Sequence, residues 1–135
     1  MSKSQLSVEY MLIIGFATLL TVPLLAIYYT YTAGASDTVA ASQALQIARK
    51  IADSAESVYY LGKPSQTTLK MSFPDKIEST NLSNNEIIFK MRTGVGLADI
   101  VYVSSVNITG TLPVSQGIHI VTVKAEDGYV MVTSN

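Results

Sequence analysis

A chain of 135 residues with 48% hydrophobic and only 14% charged side chains has a mean hydropathy of +0.32, more apolar than a small water-soluble domain requires. Nine Lys and Arg against ten Asp and Glu leave a net charge of −1 and no basic surface of the kind nucleic acid needs. With no cysteine and one histidine, disulfides, thiolate metal sites and most imidazole metal sites are excluded.

The apolar excess is concentrated near the start. No charged side chain lies between Glu9 and Asp37, and most of residues 11–31 are aliphatic or aromatic. About 20 residues of helix cross a hydrocarbon core, so the run predicts a transmembrane segment. Lys3 before it, and Tyr28, Tyr29 and Tyr31 at its far end as an interfacial aromatic belt, predict a single pass with the N-terminus inside and the C-terminus outside. A cleaved secretory signal is the competing reading, since Ala33-Gly34-Ala35 fits a small-residue cleavage site. Against it stand Glu9 at the edge of the run and the usual length of such apolar regions, ~7–15 residues. Pro23 removes the hydrogen bond to the Leu19 carbonyl and predicts a kink or a local loosening.

The period then becomes that of an amphipathic helix. Ala44, Ile47, Ala48, Ile51, Ala55 and Val58 recur at three- and four-residue spacing, with Arg49, Asp53 and Glu56 on the other face. Gly62 and Pro64 supply the stop.

Beyond Pro64 the period is two. Leu69, Met71 and Phe73 alternate with polar neighbours, as do Ile87, Phe89 and Met91, and further strands are predicted at 100–104, 106–111, 118–124 and 129–133. Asp127-Gly128 suits a tight hairpin turn with positive φ between the last two. The expected class is α+β: a long hydrophobic N-terminal helix continuing into an amphipathic helix that packs its Ala/Ile face on a small antiparallel β-sheet or sandwich.

Catalytic signals are sparse. His119 has no adjacent serine or acid to complete a triad. Gly94-Val95-Gly96 reads as an inter-strand loop, and Asp75, Glu78 and Asp99 lack calcium-loop spacing. No enzyme activity is expected. Asn81-Leu82-Ser83 and Asn107-Ile108-Thr109 match the N-glycosylation acceptor pattern, which also arises by chance.

Directly ahead of the apolar run stands Gln5-Leu6-Ser7-Val8-Glu9-Tyr10-Met11-Leu12. This stretch resembles the archaeal class III signal peptide, Q-x-S-x-E followed by a hydrophobic helix, which marks type IV pilin-like subunits of archaeal adhesion pili. The helix QIARKIADSAESVYYLGKPS and the β-rich tail through GIHIV and DGYV are similar to this family too, so the resemblance covers most of the chain. It implies a lollipop-like pilin with a leader at 1–4, a transmembrane and filament-core helix at 5–35, an amphipathic helix at 36–62 and a β domain at 63–135. A membrane aspartic peptidase of the class III prepilin type would cut between Ser4 and Gln5. The other implied partners are copies of the same chain in a helical homopolymer, a pilus assembly ATPase with its membrane platform, and the membrane that holds the precursor. No cofactor is implied, and the implied destination is the cell surface.

Cleavage before Gln5 creates an ammonium group, while Glu9 places a carboxylate at the head of an apolar helix, where it is costly without a cation. In the pilin reading, Gln5 and Glu9 are assembly residues: the Glu9 carboxylate pairs with the N-terminal ammonium of a neighbouring subunit and favours axial register. In the plainer reading, Glu9 lies at the aqueous interface and stabilises a helix N-terminus. Gly15 and Ala17 permit close helix approach or are ordinary membrane-helix residues. Two functions follow: a structural pilus subunit, or an anchored or secreted ligand-binding protein that does not polymerise.

Overall fold

The computed structural model describes the backbone of residues 2–135 and the side chains of residues 5–135. Met1 and the side chains of residues 2–4 lie outside the described residues, and with them most of the expected leader and the Ser4 side of the expected cut. The elements in chain order are α1 (Ser2–Leu61), β1 (Gln66–Phe73), β2 (Ile77–Ser83), β3 (Glu86–Thr93), β4 (Gly96–Val103), β5 (Ile108–Gly110), β6 (Gly117–Ala125) and β7 (Val130–Ser134). The chain divides into two compact units, one ending at Ser36 and the other comprising Asp37–Asn135.

In the second unit α1 buries the stripe read from its spacing. Ala44, Ile47, Ala48, Ile51, Ala55 and Val58 are all in the core, and Ala40 and Ala52 widen the stripe. Phe73, Ile87, Phe89, Val121, Val123 and Val132 from the strands share one buried cluster with this stripe. The helix ends where Gly62 N donates to the Val58 and Tyr59 carbonyls at 3.0 and 3.1 Å.

Seven strands form one sheet in the order β1-β6-β7-β5-β2-β3-β4. In a flat sheet the five steps from β1 to β3, at ~4.8 Å each, would place these strands roughly 24 Å apart. The buried rings of Phe73 on β1 and Phe89 on β3 instead meet edge to face at 6.4 Å, so the sheet curls around the helix. The predicted phases of β1 and β3 hold: Leu69, Met71 and Phe73, and Ile87, Phe89 and Met91, point inward.

Three features differ from the sequence reading. The β5–β7 pairing is parallel, whereas the other pairings are antiparallel as expected. Strand β2 was not expected, because a register shift between Ile77 and Ser79 breaks its alternation and leaves Ile77 and Leu82 as its inward apolar residues. The Asp127-Gly128 pair sits in a longer connection than a two-residue turn. Glu126 N donates to Tyr129 O at 2.9 Å, the ladder closes at Ala125 and Val130, and only Gly128 of the pair has positive φ, at 82°. The two-residue hairpin lies instead at Asn84-Asn85, both with positive φ, between Ser83 and Glu86.

Two polar clamps tie the packed stretch of α1 and its C-terminal exit to the strand connections. At the start of this unit the Asp37 carboxylate accepts from Gly94 N at 2.8 Å and pairs with Lys76. Just past the helix, Lys63 bridges Asp127 at 2.8 Å and Glu126 at 2.9 Å, and Lys124 also reaches Glu126.

Candidate functional site

The first unit is helical from Ser2, and none of its described side chains is buried. Leu6, Val8, Tyr10, Met11, Leu12, Ile13 and Phe16 are all more than half exposed, and the same holds at Leu24, Ile27 and the three tyrosines. At 1.5 Å rise per residue, residues 11–31 span about 30 Å, the thickness of a hydrocarbon core. The helix is thus long and apolar enough to cross a membrane.

Four of its threonine hydroxyls are hydrogen-bonded within the helix, which the sequence alone does not reveal. The hydroxyls of Thr18, Thr21, Thr30 and Thr32 donate to the carbonyls of Ile14, Ala17, Ala26 and Tyr28 at 2.7–2.9 Å. Each hydroxyl proton is satisfied within the helix, which removes much of the penalty for placing threonine in hydrocarbon. Pro23 lies inside α1, which is helical on both sides of it.

Gln5 and Glu9 are exposed at the head of this segment. Glu9 stands among Leu6, Val8, Tyr10, Met11 and Ile13 and has no ion-pair partner among the described residues. A carboxylate at the head of an apolar helix, four residues after Gln5, requires water or a cation. Around Gly15, the side chains of Val8, Met11, Leu12, Phe16 and Leu19 border an apolar notch of about 450 Å³. A Cβ added at Gly15 would meet nothing within 4 Å in its own chain.

Searches of protein-family models, curated proteins and solved structures each return no match. The functional reading therefore rests on the residues themselves.

The two glycosylation patterns share the outer face of the sheet. Asn81 is exposed on β2, and Asn107 is exposed just before β5. Ser83, Asn107 and Thr109 line one shallow depression with Asn84 and Tyr129, so residues of both patterns meet there.

The structure brings a serine to His119 that is not adjacent in sequence. Ser115 Oγ lies 3.2 Å from His119 Nε2, and the Ser115 carbonyl oxygen lies 3.0 Å from the same nitrogen. A carbonyl can only accept, so Nε2 carries the proton and cannot act as the base that activates Ser115. The ring packs edge to face on Phe73 at 5.6 Å, a structural contact. Among the described residues, no group of three or more His, Asp or Glu side chains is placed to hold a metal ion.

Proposed function

We propose that this protein is a type IV pilin-like subunit of an archaeal adhesion pilus, held in the membrane as a single-pass precursor and polymerised through its apolar helix after cleavage before Gln5. The observation that carries this reading is the unburied apolar helix headed by Gln5-Leu6-Ser7-Val8-Glu9, in which Glu9 has no ion-pair partner among the described residues. Leaving lipid is favourable for such a helix only where another apolar environment receives it, and the core of a helical bundle of identical helices provides one. Unlike patches on successive copies then make a heterologous, non-closing contact, which builds a filament. Within that core the Glu9 carboxylate meets the new ammonium group of a neighbour's Gln5, satisfying both charges. The class III prepilin peptidase, an assembly ATPase and its membrane platform act on the precursor, and the β domain is displayed at the cell surface.

Intact-mass spectrometry of sheared surface filaments tests the reading. The expected product is this chain beginning at Gln5. Recovery of only the full-length chain, in the membrane fraction, would refute it and favour an anchored ligand-binding protein.

A further inference from the structure

The turns at the two ends of the second unit differ in polarity. Where α1 enters this unit, Gly94 N donates to the Asp37 carboxylate at 2.8 Å, which fixes the β3–β4 turn beside Asp37. That turn is Gly94-Val95, two residues between the paired Thr93 and Gly96, and Val95 is fully exposed. Leu97, which follows on β4, is exposed as well. The connection from β5 into β6 comes to the same end, because Gly117 pairs with Phe73 just before the chain turns through Lys76, the ion-pair partner of Asp37. It carries a second exposed valine, Val114.

At the opposite end of β3, roughly 25 Å away, the corresponding two-residue turn is Asn84-Asn85. Ser105, Asn107 and Asp127 are exposed in the other connections there, and the Lys63–Asp127 ion pair ties that end to the exit of the helix. Asparagine is a residue that turns in water favour, whereas valine is apolar, β-branched and not among them. Tyr60 and Leu61 are exposed too, but they lie about 35 Å along α1 from Asp37 and share no surface with the valines. Connectivity decides which end faces the apolar run. Asp37 stands six residues after Tyr31, where that run ends, so no path between them exceeds about 20 Å. The valine-bearing end is therefore leashed to whatever surface the run enters, at any angle between the two units.

We infer that in the precursor the β domain rests on the outer lipid surface, with Val95 and Val114 dipping into the headgroup layer. This seating presupposes the anchored precursor proposed above and adds to it a second membrane contact. Interfacial burial reaches only ~5–10 Å, a depth that side chains at turn tips can cover. The polar groups of the turn backbone stay hydrated at that depth, so two turns can enter it where a whole strand edge could not enter hydrocarbon. Asp75 and Ser115, exposed at the same end, remain among the headgroups.

Single introduced cysteines carrying an environment-sensitive fluorophore test this, since the chain has no cysteine of its own. The full chain is placed in phosphatidylcholine nanodiscs, one copy per disc, with some lipids bearing a nitroxide quencher near the headgroup. Labels at Val95→Cys and Val114→Cys are expected to be quenched about threefold or more above labels at Asn84→Cys and Leu61→Cys, because the quencher reaches only the interfacial layer. A label at Ile27→Cys reports by its apolar emission that the helix itself has inserted. Equal quenching at Val95 and Asn84, with Ile27 in lipid, would overturn the seating and leave the anchored precursor standing. An Ile27 label in water would remove the membrane reading and the seating with it. Apolar emission at Val95 only in discs holding several copies would assign the tip to a neighbouring subunit and also overturn the proposal.

Discussion

Gly110→Ala is expected to be among the most damaging single substitutions in the β domain. Strand β5 has only three residues, yet it joins the β1-β6-β7 half of the sheet to the β2-β3-β4 half. Gly110 pairs with Leu82 on one side and Val132 on the other, at a φ of 142°. A Cβ built there would lie 1.9 Å from the Val132 carbonyl oxygen and 2.8 Å from its carbonyl carbon, both backbone atoms that no rotamer change can move. Relief requires β5 and β7 to separate by roughly 1 Å, which breaks the Thr111 N to Val132 O bond of 3.1 Å. Backbone strain of about 1–3 kcal/mol, a lost hydrogen bond of about 1 kcal/mol and disturbed packing of Ile108 and Val132 together cost about 3 kcal/mol or more. At ~4–8 °C per kcal/mol for a domain near 100 residues, the β-domain melting temperature should fall by roughly 12–24 °C. Thermal unfolding of the full chain in detergent, followed by the sheet signal in circular dichroism, measures this. Gly117→Ala is the control: it shares a positive φ, of 131°, but its Cβ would meet nothing within 4 Å. A fall of less than ~4 °C in Gly110→Ala, or an equal fall in Gly117→Ala, would refute the argument that close approach of β7 forbids a side chain.

Four further outcomes are expected. Glu9→Ala should still insert and be cleaved, but should reduce filament yield by roughly tenfold or more, because it leaves a buried ammonium group unpaired; normal filaments would remove the charge-pairing role. Gly15→Leu occupies the apolar notch, and its Cβ meets nothing within 4 Å in its own chain, so precursor level and cleavage should be unchanged while sheared-filament yield drops; unaltered yield would show that no neighbour enters the notch. For pH, the Gly94 N–H and then Lys76 hold the Asp37 carboxyl below its ordinary value of 3.8. This contribution is complete above pH 3.8 and is lost as pH falls through the lower folded value, so melting temperature should drop there, and Asp37→Asn should abolish that part of the fall. Lys63 runs oppositely: hydrogen bonds to Asp127 and Glu126 raise it above 10.5, so its contribution persists below that pH and is lost only at still higher pH. Finally, Asn81→Gln with Asn107→Gln should lower the intact mass of surface subunits to the value of the bare chain; no change would reduce both patterns to chance.

The parts of the fold legible in the sequence are those governed by one local period. The Ala44–Val58 stripe announces its buried face because a single helix meets a single surface, and β1 and β3 announce theirs because each alternates without interruption. Strand β2 escapes because its bulge places Glu78 and Ser79 both outward, so Ile77 and Leu82 fall five residues apart. The parallel β5–β7 pairing and the contact at Gly110 depend on a partner more than 20 residues away, which no local pattern encodes. A glycine inside the strand predicted at 106–111 is nevertheless a readable sign of close backbone approach. The site divides similarly: Gln5 and Glu9 stand out by motif, whereas Val95 and Val114 come to the Asp37 end of the sheet only once the strands have paired.

The two halves of α1 show why the chain is so apolar for its size. From Asp37 onward the buried positions of the helix are mostly alanine, with Ile47, Ile51 and Val58, and the curled sheet covers them, so most of the large apolar residues there come from the strands. Before Ser36 the helix carries leucine, isoleucine, phenylalanine and tyrosine on all sides, and none of them is buried among the described residues. A soluble monomer rarely exposes more than a few hundred Å² of contiguous apolar surface, and this segment greatly exceeds that. The cover must come from outside the chain. Lipid alone would accept such a helix with no acid at its head, and a water-soluble bundle would accept it with charges along one face. A helix apolar on every side, with its threonines self-satisfied and one carboxylate four residues beyond the expected cut, suits passage from lipid into a bundle of its own copies.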